Sequence, residues 1–276
     1  MSVEVKIKQN SIFRKKLNTD DIIKLTNLSY GTFDGNYILI PNETSNHTLI
    51  YDEKRLARGI DVSFDGSDIV LFLSLPTSSF EIKSFYEITE KICAEIKTTT
   101  YYRDGVKVNL KDNDRFIKAD EEGSICGLKS IQENIGENKY KLFDIFCVYN
   151  PISIGYKELK QINNSLENFE NYLHNIQSLD VYYAAPRVFK AEDKLIGIYA
   201  ISPNIPSVVP TEPYIVLNQI QGIEEWYVIF DKGKTIKYDD FINNINSKEY
   251  YDSRHIIALL NDNDINDLAD KYCIEI

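Results

Sequence analysis

The stretch 59-GIDVSFDGSDIVLFLSLPTSSFEIKSFYEITEKICAEI-96 decides the fold class. Residues 59–64 and 69–75 are strand-like runs, and Phe64-Asp65-Gly66-Ser67-Asp68 between them has the composition of a turn. Immediately afterwards Ser78-Ser79-Phe80-Glu81 has capping-box spacing, and Ile82, Phe85, Tyr86, Thr89, Ile92, Cys93 and Ile96 recur at the helical period. Two adjacent strands pair antiparallel, and the helix after them must bury its apolar stripe. The stretch therefore predicts a helix packed across an antiparallel meander.

Working outward, residues 2–8 alternate Val3, Val5 and Ile7 against Glu4, Lys6 and Lys8, the period of a half-buried strand. Asn18 or Thr19 can cap a short helix whose first turn holds Asp20 and Asp21. Strands are expected at 37–40 and 48–51, and a hairpin at 98–102 and 106–110 around Arg103-Asp104-Gly105. Residues 112–139 are polar and read as a linker or peripheral helix, with a boundary near Glu137. Beyond it come a strand at 142–149, helices at 156–162 and 166–176, strands at 180–184, 195–201, 213–217 and 225–230, and helices at 238–245 and 262–272. Strands in runs, with helices segregated from them, predict an α+β protein with mixed, mainly antiparallel sheets. Two packed subdomains are expected, 1–137 and 138–276.

Composition bounds the function. The 276 residues are 43% hydrophobic, 12% aromatic and 26% charged, the profile of a folded protein with a sizeable core. No run reaches the roughly 18 apolar residues of a membrane helix, and the N-terminus lacks a signal-peptide block, so no membrane role and a cytoplasmic location are expected. Cys93, Cys126, Cys147 and Cys273 form no CxxC pair and read as reduced thiols. A net charge of −11 argues against nucleic acid as a partner. One local exception is a basic patch of Lys6, Lys8, Arg14, Lys15 and Lys16 with Lys54, Arg55 and Arg58, which requires the first strand to lie beside the hairpin of residues 37–51. Scattered solvated lysines are the ordinary alternative.

Chemical motifs mostly fail. Gly233-Lys234-Thr235 ends like a P-loop, but Val228 stands where that loop needs glycine, so Asp231-Lys232-Gly233 reads as a turn. Asp112-Asn113-Asp114 and Asp262-Asn263-Asp264 start like calcium loops but lack the sixth-position glycine and the closing glutamate. His47, His174 and His255 have no metal-ligand spacing, and no nucleophile elbow or dinucleotide fingerprint occurs. Glu224 and Glu225 are adjacent on a strand and would point to opposite faces. No catalytic residue, metal site or cofactor is predicted.

Residues 182–217, YYAAPRVFKAEDKLIGIYAISPNIPSVVPTEPYIVL, hold five of the chain's eight prolines. Prolines at 203, 206, 210 and 213 predict a rigid extended loop over 202–213, neither helix nor central strand. Before it, Arg187 stands among Ala184, Ala185, Val188 and Phe189, beside Tyr182 and Tyr183, where a guanidinium would stack and bind a carboxylate. An internal ion pair anchoring the loop is the bland alternative. The candidate binding set is Tyr182, Tyr183, Arg187, Tyr214 and Trp226.

The MSVxxxIK start, Arg58-Gly59-Ile60-Asp61-Val62-Ser63, Leu75-Pro76-Thr77-Ser78 with Phe85-Tyr86 and Ile92-Cys93, and Tyr182-Tyr183-Ala184-Ala185-Pro186-Arg187 with the later Pro-Ser-Val-Val-Pro carry a resemblance. Together they resemble an uncharacterised bacterial family, domain of unknown function forty-two ninety-nine, over nearly the whole chain. That resemblance implies no activity and transfers no functional residue. The expectation is a non-enzymatic protein that binds another protein or regulates it, in the manner of an immunity protein; the rival is a hydrolase whose site assembles around Arg187.

Overall fold

Val3, Val5 and Ile7 are buried and Glu4 is exposed, so the alternation in residues 2–8 is the pleat of the first strand. The structure, a computed structural model, describes residues 2–9, 16–137, 141–191, 194–218, 220–246 and 248–275. It is an α+β fold with mainly antiparallel sheets. The chain forms two compact units, Met1–Ser178 and Leu179–Ile276.

In the first unit the elements run β1 (Ser2–Ile7), α1 (Thr19–Thr26), β2 (Ser29–Phe33), β3 (Leu39–Pro41), β4 (His47–Tyr51), β5 (Ile60–Asp65), β6 (Asp68–Ser74), α2 (Ser79–Glu95), β7 (Thr100–Arg103), β8 (Val106–Asn109), α3 (Asn113–Gly136), β9 (Phe143–Phe146), β10 (Pro151–Ile154), α4 (Tyr156–Ile162) and α5 (Leu166–Gln177). Eight strands make one antiparallel sheet in the order β3-β2-β4-β5-β6-β1-β7-β8. Ile60 and Val62 of β5, and Ile69, Leu71 and Leu73 of β6, point to one face. There Ile82, Phe85, Tyr86, Ile92 and Cys93 of α2 and Ile22 of α1 close the main core. The N-cap at Ser78 forms, its Oγ accepting from Glu81 N at 3.1 Å, but the reciprocal half of the capping box does not, because the Glu81 carboxylate turns to Gly59 N, Arg58 N and Thr77. Asn18 caps α1.

Of the two alternatives for residues 112–139, linker or peripheral helix, the helix forms. Residues 113–136 are a long helix, because its sparse apolar and small positions, Ser124, Leu128 and Ile135, fall where they can be buried. Asp120 is buried too. It accepts from Tyr86 Oη at 2.6 Å and from Arg103 Nη2 at 2.6 Å, joining α3 to α2 and β7. The expected division near Glu137 falls inside the first unit. The elements after it stay with those before it: Gln177 of α5 donates to Ala57 O at 2.9 Å, and His174 Nδ1 accepts from Leu56 N at 3.2 Å.

Among the described residues the basic patch does not assemble. β1 lies between β6 and β7 rather than beside β3 or β4, which flank β2 and do not form a hairpin with each other. Lys6 pairs with Asp65, and Arg55 with Glu170. Arg14 and Lys15 lie outside the described residues.

The second unit contains β11 (Tyr182–Tyr183), β12 (Arg187–Ala191), β13 (Lys194–Ile201), β14 (Ser207–Pro210), β15 (Ile223–Phe230), β16 (Thr235–Lys237), α6 (Tyr238–Asn244), β17 (Lys248–Tyr250), β18 (His255–Ala258) and α7 (Asp262–Tyr272). Its two four-stranded sheets have the orders β12-β13-β15-β16 and β11-β14-β18-β17; β13 runs parallel to β15, and β11 to β14. Phe241 and Ile245, with Ile265 and Leu268 of α7, share a core with Tyr199, Val228, Phe230 and Ile236.

The proline-rich segment is more regular than its sequence suggests. Ser207–Pro210 is a fully buried central strand between β11 and β18. The prolines permit it because Pro206 precedes the strand and Pro210 ends it, leaving Val208 and Val209 inside, while Pro206 O still accepts from Tyr182 N at 2.8 Å. The strand expected at 213–217 is absent: Val216–Asn218 is a short 3-10 turn, with Leu217 at φ 58°.

Candidate functional site

β6 is apolar at nearly every position, and that is where a site forms. Ile69, Leu71 and Leu73 fill the core, so Val70 and Phe72 must stand on the face turned away from α1 and α2. Phe72 is 37% exposed there. Asp61 and Ser63 of β5, Glu4 of β1, and His47 and Leu49 of β4 lie on the same face. Phe33, Tyr37 and Phe146 wall it, with the rings of Tyr37 and Phe146 4.5 Å apart. The result is a pocket of about 450 Å³ with aromatic walls. That size lies within the usual range for ligand sites.

The segment after β9 shapes one wall. Leu39 N donates to Tyr149 O at 3.2 Å and Val148 N to Ala57 O at 3.2 Å, pinning residues 146–149 beside β3. Val148, Leu39, Leu49, Tyr51 and Leu56 form a small second core beneath it. Gly59 has φ 79°, and a Cβ there would stand 2.6 Å from Leu49 Cδ2; a glycine is what lets the chain enter β5 beside the pocket.

Three charged residues line the pocket, Glu4, Arg58 and Asp61. Arg58 is held in the wall, its Nε donating to Phe146 O at 3.1 Å and its Nη1 to Pro76 O at 3.2 Å. Behind it lies buried Glu81, which accepts from Gly59 N at 2.6 Å, Arg58 N at 3.1 Å and the Thr77 hydroxyl. Burial pushes the Glu81 carboxyl above its ordinary range, with those hydrogen bonds and Arg58 opposing. Burial likewise lowers the Arg58 value, countered by Cys147 and Glu81. Asp61 is half-buried and its carboxyl is also pushed up by burial, opposed by His47, whose Nδ1 lies 3.1 Å away.

The five sequence-predicted residues do not converge on one site. Arg187 is exposed on the edge strand β12, paired through its backbone with Ile198; among the described residues its side chain has no ion-pair partner. Tyr182 is exposed on β11. Trp226 packs over Gly197 and near Tyr199, with ring centroids 5.9 Å apart. Tyr183 and Tyr214 do come together, on a residue the sequence reading passed over. His255 Nε2 lies 3.1 Å from Tyr183 Oη and 3.0 Å from Tyr214 Oη. Its Nδ1 lies 2.8 Å from Asp252 Oδ1.

A model of the family described as Domain of unknown function (DUF4299) matches residues 2–268. The chain belongs to that family. No curated protein and no solved structure matches it. The DUF4299 description carries no activity, so roles rest on the geometry.

The Asp252–His255–Tyr array has the order of a proton relay, but it is closed. Asp252 Oδ1 also accepts from Arg254 N and His255 N, each at 2.8 Å. A carboxylate only accepts, so His255 Nδ1 carries a proton, and Nε2 lies within hydrogen-bond distance of both phenols. Burial raises the Tyr183 phenol well above its ordinary value, which keeps it a donor. His255, Asp252 and Tyr183 are all buried, so Nε2 is occupied and enclosed. Its chemistry is that of an anchor joining β11, β18 and the segment holding Tyr214.

Some of this was visible beforehand. An outward Val70 and Phe72 break the alternation that a half-exposed strand should show, a signal for an apolar outer face. Asp252 and His255 sit three apart before a short strand, which is too common a spacing to single out. Among the described residues no group of His, Cys, Asp and Glu has a metal-holding arrangement, and no helix is long and apolar enough to cross a membrane.

Proposed function

We propose that the protein acts by binding, without catalysis, and that the first unit's pocket receives an apolar segment of a protein partner whose activity is thereby regulated, in the manner of an immunity protein. The observation that carries this reading is the exposed Phe72 among Val70, Phe33, Tyr37 and Phe146 on a strand face that could have been polar. Soluble proteins seldom hold aromatic side chains in an open concavity without an occupant, because each costs hydration free energy that only burial recovers. Arg58 and Asp61 in the pocket each have a protein partner, the carbonyls of Phe146 and Pro76 for Arg58 and His47 for Asp61. The charge of −11 favours a protein partner over nucleic acid.

Capture from the native cell with the wild-type chain and with Phe72→Glu, read by mass spectrometry, tests it. A protein retained by the wild type and lost on Phe72→Glu is expected. Reproducible failure to retain any protein, or equal retention by both chains, would refute the reading.

A further inference from the structure

The same pocket carries a charge pattern that an apolar partner segment alone does not use. Five titratable side chains face it: Glu4, Tyr37, His47, Arg58 and Asp61. Arg58 is a wall residue whose Nε and Nη1 are tied to the carbonyls of Phe146 and Pro76, so those donors are turned into the wall. Glu4 is exposed at the rim. Asp61 is half-buried and touches His47, whose own side chain is 74% exposed. Around these carboxylates stand Phe33, Tyr37, Phe72 and Phe146, whose ring faces carry negative potential. Aromatic faces together with a partly desolvated carboxylate form a recognition site for organic cations.

Resting on the proposed partner-binding role, we infer that the pocket takes a basic side chain of the partner, an arginine or lysine, with its charged head on Asp61 and its alkyl stem between the rings. Burial of Asp61 favours such an occupant: a cation supplies the counter-charge that water no longer provides. The chain's net charge of −11 draws a basic partner to it. An anionic ligand would instead meet Asp61 and Glu4, with Arg58 already committed to carbonyls.

Calorimetric titration of the full chain with N-acetyl-arginine amide, beside its neutral isostere N-acetyl-citrulline amide, tests the inference. The arginine compound should bind about 5- to 30-fold more tightly, the range a desolvated cation–π contact supplies. Asp61→Asn and Phe72→Ala should each weaken it, and both variants should keep the fold because their side chains lie on the outer face. Choline, with its neutral isostere 3,3-dimethylbutan-1-ol, separates a free small cation from a side chain. Equal affinity for the arginine and citrulline compounds, indifference to both substitutions, or binding of choline alone would each overturn the inference. A partner captured through Phe72 without cation preference would leave the binding role standing and remove only the basic side chain. Cation binding that depends on Asp61, with no partner captured, would do the reverse.

Discussion

Gly197 and Trp226 are register partners on the parallel strands β13 and β15, and a Cβ at position 197 would stand 2.3 Å from Trp226 Cε3 and Cζ3. The indole occupies the space a side chain would take, so the glycine is a packing requirement of the strand pair. Gly197→Ala must displace the indole or bend β13, and overpacking of this kind costs about 1–3 kcal/mol. Trp226 is the chain's one tryptophan, so its emission reports the site directly. Gly197→Ala should lower the melting temperature and shift that emission to the red. Unchanged emission with unchanged melting would show that the indole does not rest there.

The His255 cluster predicts a second, separable cost. Tyr183 hydrogen-bonds an enclosed nitrogen, so Tyr183→Phe leaves a buried polar atom with one fewer partner, at about 1–3 kcal/mol. Tyr214 is only half-buried and also packs under Arg254, whose Cζ lies 4.2 Å from its ring centroid. Both phenols serve the same Nε2, so the double variant Tyr183→Phe with Tyr214→Phe should cost more than the two single changes summed. Urea unfolding of the four chains measures this; strict additivity would mean that the phenols do not share the imidazole.

What was legible in the chain was local. The Ser78 N-cap, the α2 stripe and the turn at residues 64–68 are set by residues within a few positions, and all three form. Helix α7 spans residues 262–272 as expected, and Asn261 caps it. The long-range pairings were not legible. β14 becomes a central strand because β11 and β18 meet it from far along the chain, and proline chemistry alone argued against that. Val70 and Phe72 announced an apolar outer face, but Tyr37 and Phe146 join them only through the segment pinned by Tyr149 O. His255 carries no sequence signal because its partners, Tyr183 and Tyr214, are 72 and 41 residues away.

The cysteines should divide by reactivity. Cys126 and Cys273 are exposed, while Cys93 and Cys147 are buried. Burial, with Glu90 nearby, pushes the Cys93 thiol up to about 12, so almost no thiolate is present near neutrality. Mass-resolved alkylation of the native protein at pH 8 should modify Cys126 and Cys273 first and reach the other two only on unfolding. Early modification of Cys93 would contradict the packing of α2 against the sheet.

Glu81 gives a pH dependence with a definite sign. Its carboxyl is buried and raised above the ordinary glutamate value of 4.5, so the folded chain holds the proton more tightly than the unfolded chain does. The stabilisation from that proton is complete below about 4.5 and is lost as pH rises through the folded-state value. Glu81→Gln keeps a neutral acceptor for Gly59 N and removes the titration. Every other ionisable group is common to the two chains and largely cancels in the comparison. The melting temperature of the wild type relative to Glu81→Gln should therefore be highest near pH 4 and fall steadily toward neutrality. A difference that is flat or grows with pH would mean that the hydrogen bonds from Gly59, Arg58 and Thr77 outweigh burial and hold the carboxylate ionised.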